Sequence, residues 1–95
     1  MSSIIMSIPR FLLGQCCITP GALDKLAQGD VFRALARHQA GDWGDLDEHD
    51  RQENEVSLRD GHRLFSVYRS ATGVKFYIIT EADRSLTTVL LPEEY

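Results

Sequence analysis

Cysteine is nearly absent from this 95-residue chain: Cys16 and Cys17 are its only two, and they are adjacent. A bridge between chain neighbours demands a strained geometry, so a disulfide-stapled secreted scaffold is excluded. Long apolar runs are missing as well. The longest, such as Phe11-Leu12-Leu13 and Val89-Leu90-Leu91, fall far short of the roughly 20 residues that span a bilayer. Residues 1–8 hold Ile4, Ile5, Met6 and Ile8 but no basic stretch of the kind that opens a signal peptide. The expectation is a cytoplasmic chain with no membrane partner, whose residues 1–10 fray or add a short edge strand. Basic charge is also scarce. Ten Lys and Arg stand against fourteen Asp and Glu, a net charge of −4, which argues against direct binding of nucleic acid.

What is present is ordinary for a packed domain. Hydrophobic residues at 43% and charged residues at 25% rule out collagen-like and wholly disordered chains. No repeat or linker divides the chain, so residues 1–95 read as one domain. Phe11 to Ile18 reads as a strand with a weak point at Gly14. Thr19-Pro20-Gly21 starts a helix, with Thr19 as cap and Pro20 in the first position. Asp30 is placed to cap a second helix, with Val31, Phe32, Leu35 and Ala36 on its buried side, ended by Gly41. Asp45 followed by Glu48 resembles a capping box for a third helix over Leu46 to Arg59. Three strands follow: Arg63 to Arg69, Val74 to Thr80 and Ser85 to Leu91, joined by short turns that make an antiparallel meander.

The fold class expected is therefore α+β: an antiparallel three- to four-stranded sheet with two or three helices packed on one face. The predicted core is Leu13, Leu23, Leu26, Phe32, Leu35, Leu64, Phe65, Val67, Phe76, Ile78, Val89 and Leu91. Cys16 and Cys17, in a strand, are expected to be small buried thiols.

Most familiar chemistries have no residues to carry them. No Cys-x-x-Cys or His-x-x-x-His is present to hold zinc, and His38, His49 and His62 are dispersed. No Gly-x-Ser-x-Gly, Gly-x-x-x-x-Gly-Lys or Gly-x-Gly-x-x-Gly occurs. No metal, no cofactor and no catalytic residue is expected. One segment does stand out. Gly41 to Glu55 holds seven acids (Asp42, Asp45, Asp47, Glu48, Asp50, Glu53 and Glu55) against Arg51 alone. Its spacing does not fit a calcium loop, because counting from Asp45 puts Asp50 and Val56 where Gly and Glu are required. A solvated helix with acid in its first turn accounts for it, and an acidic face for a partner is the alternative. Trp43, between two glycines, is either an anchor between the second and third helices or a binding hot spot. Glu81, Asp83 and Arg84 make either a well-formed hairpin turn or a polar recognition tip.

The blocks Thr19-Pro20-Gly21-Ala22-Leu23, Gly41-Asp42-Trp43-Gly44-Asp45-Leu46, Arg51-Gln52-Glu53-Asn54-Glu55, Ile78 to Ser85 and Thr87 to Tyr95 carry a resemblance. They resemble a family of small bacterial proteins often carried on plasmids and other mobile elements. The resemblance spans nearly the whole chain except Met1 to Arg10 and brings no catalytic residues with it. It implies a context in which small proteins inhibit host defence, including CRISPR or restriction complexes. The function expected is that of a non-enzymatic protein-binding domain. Its partner is a protein, such as a basic nucleic-acid-binding complex, met by Asp42, Trp43, Asp45, Asp47, Glu48, Asp50, Glu53, Glu81, Asp83 and Arg84. A housekeeping homodimer that pairs through a sheet edge or the polar helix is the second reading, and a small enzyme the third.

Overall fold

A computed structural model of the chain describes residues 8–95. Strand β1 (Gln15–Ile18) leads into helices α1 (Pro20–Lys25), α2 (Gln28–Gln39) and α3 (Glu48–Asp60). Strands β2 (Leu64–Arg69), β3 (Lys75–Thr80) and β4 (Leu86–Leu90) follow, and a 3-10 turn, Pro92–Glu94, closes the chain. The fold is α+β with a four-stranded sheet ordered β1-β4-β3-β2. The meander β2-β3-β4 is antiparallel, but β1 runs parallel to β4. The sheet is therefore mixed, not antiparallel throughout. All the helices and two strands lie between β1 and β4, and so long a connection can return the chain in either direction.

β1 is also half the expected length. Gly14 has φ +66°, and a Cβ there would sit 2.4 Å from the Ser85 backbone. The strand therefore starts at Gln15; before it Phe11 packs beside Trp43, Leu12 is exposed, and the Leu13 carbonyl accepts from Thr87. Of Met1 to Arg10, read as frayed or an edge strand, residues 1–7 lie outside the described residues. Ile8 to Arg10 are neither helix nor strand.

Thr19 caps α1 as expected, its side chain accepting from the Ala22 N–H. The other two caps shift. α2 starts at Gln28 behind Ala27, and Asp30 inside its first turn binds the Ala71 N–H instead. α3 is capped by Asp47, not Asp45; the Asp47 carboxylate accepts from the Asp50 N–H at 2.8 Å. The N–H of Asp45 is already donated to the Val67 carbonyl.

α1 and α2 cover one face of the sheet, packing Ala22, Leu26, Val31 and Ala34 on Tyr68, Phe76, Ile78 and Val89. Two predicted core residues are not there: Leu23 is 67% and Phe32 is 61% exposed. The buried positions are Ala22 on α1 with Leu26 at its C-cap, and Val31, Ala34 and His38 on α2. Each misplaced residue follows a buried one directly, about 100° around the helix. Cys16 and Cys17 are exposed as well, not buried. α3 does not join the helical layer; it runs along the outer edge of β2, where Leu46 and Leu58 pack with Val67, Phe65 and Tyr77.

A polar chain crosses the buried face. His38, 0% exposed, lies 2.6 Å from Ser66 Oγ through Nδ1 and 2.9 Å from Thr80 Oγ1 through Nε2. Thr80 Oγ1 is 2.7 Å from Thr87 Oγ1, which lies 2.7 Å from the Leu13 carbonyl. A carbonyl only accepts, so Thr87 donates to Leu13, Thr80 donates to Thr87, and the His38 Nε2–H donates to Thr80. Nδ1 then accepts from Ser66, and the ring is neutral. Burial, reinforced by the nearby positive charge of Arg84, pushes the His38 pKa from 6.5 down to about 3.

The sign of the pH dependence follows. Below pH 6.5 the unfolded histidine takes a proton that the folded ring refuses until about pH 3. Stability is therefore full above pH 6.5 and falls as the pH drops below it. The shifted carboxylates begin to add their own loss only near 4.5. The urea midpoint is expected to fall between pH 6.5 and 4.5 in the native sequence and to stay nearly level in His38→Gln, from a lower starting value. Equal slopes in the two proteins would remove His38 as the source.

Candidate functional site: an acidic helix beside an aromatic cleft

The outer edge of β2 is closed by side chain and loop together. Asn54 of α3 pairs with both backbone groups of Phe65, its Nδ2 donating to the carbonyl and its Oδ1 accepting from the N–H. One step along, the Val67 N–H donates to the Trp43 carbonyl, and the Asp45 N–H donates to the Val67 carbonyl. Between them Gly44 has φ +76°, and a Cβ there would lie 1.9 Å from the Val67 oxygen, so only glycine permits this approach. A strand edge is thus paired over two residues without a fifth strand. It also fixes α3 along the sheet with one face to solvent.

The ten residues proposed to meet a partner separate into three groups. The first is structural. Trp43 is buried at 4% exposure, its ring beside His38 and Phe11 and its indole N–H donating to Glu55 at 2.9 Å. It is the anchor between α2 and α3 and offers no free surface to a partner. Glu55 is held by Arg10 through two bonds, which with the Trp43 N–H lower its pKa. Asp47 is the α3 cap. Asp83 accepts from the Ser85 N–H and hydroxyl, which lower its pKa and set the turn.

Arg84 belongs to the same group. Its guanidinium donates to the carbonyls of Glu81, Ala82 and His62 from one nitrogen, and to that of Ser57 from the other. Ser57 lies in the last turn of α3, where the helix dipole favours a cation, and its carbonyl also accepts from the Gly61 and His62 N–H groups. Arg84 clips the β3-β4 turn to the end of α3. It is not a free recognition tip.

The second group is paired at the surface. Asp42 takes the Arg37 guanidinium at 2.7 and 3.2 Å, and this pairing lowers its pKa. Asp45 lies 3.4 Å from Arg69, and Glu81 lies 3.8 Å from Arg63. The third group is Glu48, Asp50 and Glu53, all exposed. Among the described residues Glu48 accepts only from Gln52, and Glu53 has His49 at 4.0 Å. The Asp50 carboxylate has no hydrogen-bond or ion-pair partner among the described residues.

Asp50 and Glu53 rise beside a cleft of about 440 Å³, lined also by Leu46, Arg63, Phe65, Tyr77 and Tyr95. The three rings pack on one another: Phe65–Tyr77 at 4.8 Å, Tyr77–Tyr95 at 6.0 Å and Phe65–Tyr95 at 6.2 Å between centroids. Cations already use these faces, with Lys75 5.9 Å above Tyr77 and Arg63 5.6 Å above Tyr95. Carboxylates beside electron-rich ring faces suit a lysine or arginine side chain. The aromatic half went unread in the sequence, although alternation along β2 and β3 places Phe65 and Tyr77 on one face.

Other groups with chemical potential are differently placed. Ser66 and His38 form a hydroxyl–imidazole pair, but both are 0% exposed. Burial, with Cys17 beside it, raises the Cys16 pKa, the opposite of an activated thiolate. Among the described residues no three His, Cys, Asp or Glu converge to hold a metal ion, and no helix is long and apolar enough to cross a membrane. No protein-family model, no curated protein and no solved structure matches the chain.

If Arg84 acts as a clip, removing its side chain costs stability. Arg84→Ala is expected to lose about 1.5–3 kcal/mol in urea denaturation, the scale of a charged hydrogen bond. Arg84 sits at φ +62°, so Arg84→Gly, which removes the same side chain but suits that conformation, is expected to lose less. Unchanged stability in Arg84→Ala would return the residue to the free surface.

Proposed function

We propose that this chain is a non-enzymatic protein-binding domain that receives a basic segment of its partner along α3. The observation that carries the reading is two exposed carboxylates, Asp50 and Glu53, without a Lys or Arg ion pair among the described residues, beside the Phe65–Tyr77–Tyr95 cleft, whose Arg63 is paired with Glu81. The ion pairs at Asp42 and Asp45 leave those residues a smaller part, as a negative rim. Free acids on such a surface steer a basic partner and repel phosphate. A lysine or arginine entering the cleft gains a ring face that a nucleic-acid backbone cannot use.

The partner proposed is a basic protein complex. Its most specific version is a nucleic-acid-binding machine of host defence, CRISPR or restriction, inhibited by occupation of its phosphate channel. That version leans on the resemblance to mobile-element proteins, and the acidic cleft supports its general form. No cofactor is needed for the proposed role. The homodimer reading draws on a different surface.

The joint change Asp47→Asn, Glu48→Gln, Asp50→Asn and Glu53→Gln tests it. Asparagine caps helices about as well as aspartate, and exposed acids cost roughly 0.5 kcal/mol or less each when replaced. The melting temperature is expected to stay nearly constant. Association with a partner recovered from the native host is expected to slow by about tenfold and to lose most of its salt dependence. Titration with a short arginine-rich peptide is expected to shift the Tyr77 and Tyr95 ring resonances in the native sequence only. Equal affinity and salt dependence in the two proteins would end the assignment.

A further inference from the structure

The sheet has two edges, and among the described residues only the β2 edge is closed. β1 bonds to β4 through Gln15, Cys17 and Thr19: the Gln15 N–H donates to Ser85 and the Thr19 N–H to Val89. In a parallel ladder the alternate residues then point the other way. The N–H and C=O of Cys16 and Ile18 therefore face outward, and among the described residues nothing pairs with them. The strand Gln15-Cys16-Cys17-Ile18 has no charge, no proline and no bulge, the usual devices that protect an edge.

Beside this edge lies a groove of about 430 Å³ between β1, α1 and α2. Its lining includes Cys16, Ile18, Leu23, Phe32 and Leu35, and it contains no charged residue. Leu23 and Phe32 stand in its wall, well over half exposed. We propose that β1 pairs antiparallel with β1 of a second copy, forming a two-fold dimer with a continuous eight-stranded sheet.

Register and symmetry both point to a second copy. With the two-fold axis at Cys17, the outward groups of Cys16 meet those of Ile18 in the other copy, twice, giving four hydrogen bonds from so short a strand. Centring on Cys16 would instead call on Gly14, whose φ of +66° is not that of a strand. The axis is normal to the sheet, so the helical layers of both copies fall on the same side. Leu23 and Phe32 of each copy then flank the seam and cover one another. Edge and groove are both uncharged, so a chain of net charge −4 meets itself here without repulsion.

The contact is small. Strand and groove supply roughly ten residues a side, against about 20–30 in a standard interface, so the dimer is micromolar rather than nanomolar. It leaves α3 and its cleft free. The two surfaces stand or fall separately.

The same register gives a covalent readout. Cys17 lies opposite Cys17 of the second copy in a non-hydrogen-bonded pair, with Cα atoms about 4.5 Å apart, within disulfide range. Two Cys16 residues would be about 8 Å apart, beyond it. Adding diamide lets two thiols form one S–S bond, with their two electrons and two protons passing to the diamide. Sedimentation of the full chain across the micromolar range is expected to show reversible dimerisation. Cys16→Ser, which keeps Cys17, is expected to cross-link under diamide, and Cys17→Ser is not. Phe32→Asp changes an exposed side chain and is expected to weaken the dimer by roughly tenfold or more with its melting temperature kept. Cys16→Pro removes only an outward donor and is expected to be monomeric. A chain that stays monomeric, a dimer indifferent to Phe32→Asp, or cross-linking as fast through Cys16 as through Cys17 would each overturn the proposal.

Discussion

One buried imidazole holds the layers of this fold together. His38 comes from α2, Ser66 from β2, Thr80 from β3, Thr87 from β4, and Leu13 from the segment that leads into β1. Each hydroxyl can donate only once, so the order of the elements is written into a single direction of hydrogen bonds. The chain leaves no buried side-chain polar atom unsatisfied among the described residues. In a core of this size that matters, because an orphaned polar group costs about 1–3 kcal/mol, a sizeable share of a small domain's stability. The same ring meets Phe11 edge-on at 5.2 Å and Trp43 at 5.7 Å. Through Trp43 and its bond to Glu55 the core reaches α3, and Arg84 fastens the far end of that helix.

The consequence for function is an asymmetric sheet. On the β2 side, Asn54 and the Trp43–Asp45 segment consume the edge, and α3 is left as a polar ridge over an aromatic cleft. On the β1 side no described residue pairs with the outward groups of Cys16 and Ile18, and an uncharged groove lies beside them. With one charged and one neutral surface on opposite sides, the proposed basic partner and the proposed second copy would not compete. The acids that read in the sequence as one patch divide physically into caps, ion pairs and free carboxylates. The proposed binding role rests on the last kind.

Much of the element order is legible in the sequence, because local chemistry decides it. Thr19-Pro20 admits little but a capped helix start, and β2, β3 and β4 follow from alternation and short turns. The third helix shows where local reasoning stops. Asp45 and Asp47 both have an acid three residues on and compete as caps. The contest is settled by Val67, distant in sequence, whose carbonyl takes the Asp45 N–H. Phe32 is exposed because Val31, Ala34 and His38 set the buried arc of α2, and a histidine does not read as core by hydrophobicity; on α1 the buried position is Ala22, which turns Leu23 outward. The parallel direction of β1 depends on a crossover that spans most of the chain. The acidic half of the site was visible as composition, whereas its aromatic half required the sheet register.

The protonation state of His38 tests the account most directly. Nitrogen-15 NMR of the imidazole reports which ring nitrogen carries the proton and at what pH the second one binds. The hydrogen-bond chain predicts a neutral ring with its proton on Nε2, a bare Nδ1, and no titration until the pH approaches 3. A proton on Nδ1, or a ring that titrates near its ordinary 6.5, would contradict it.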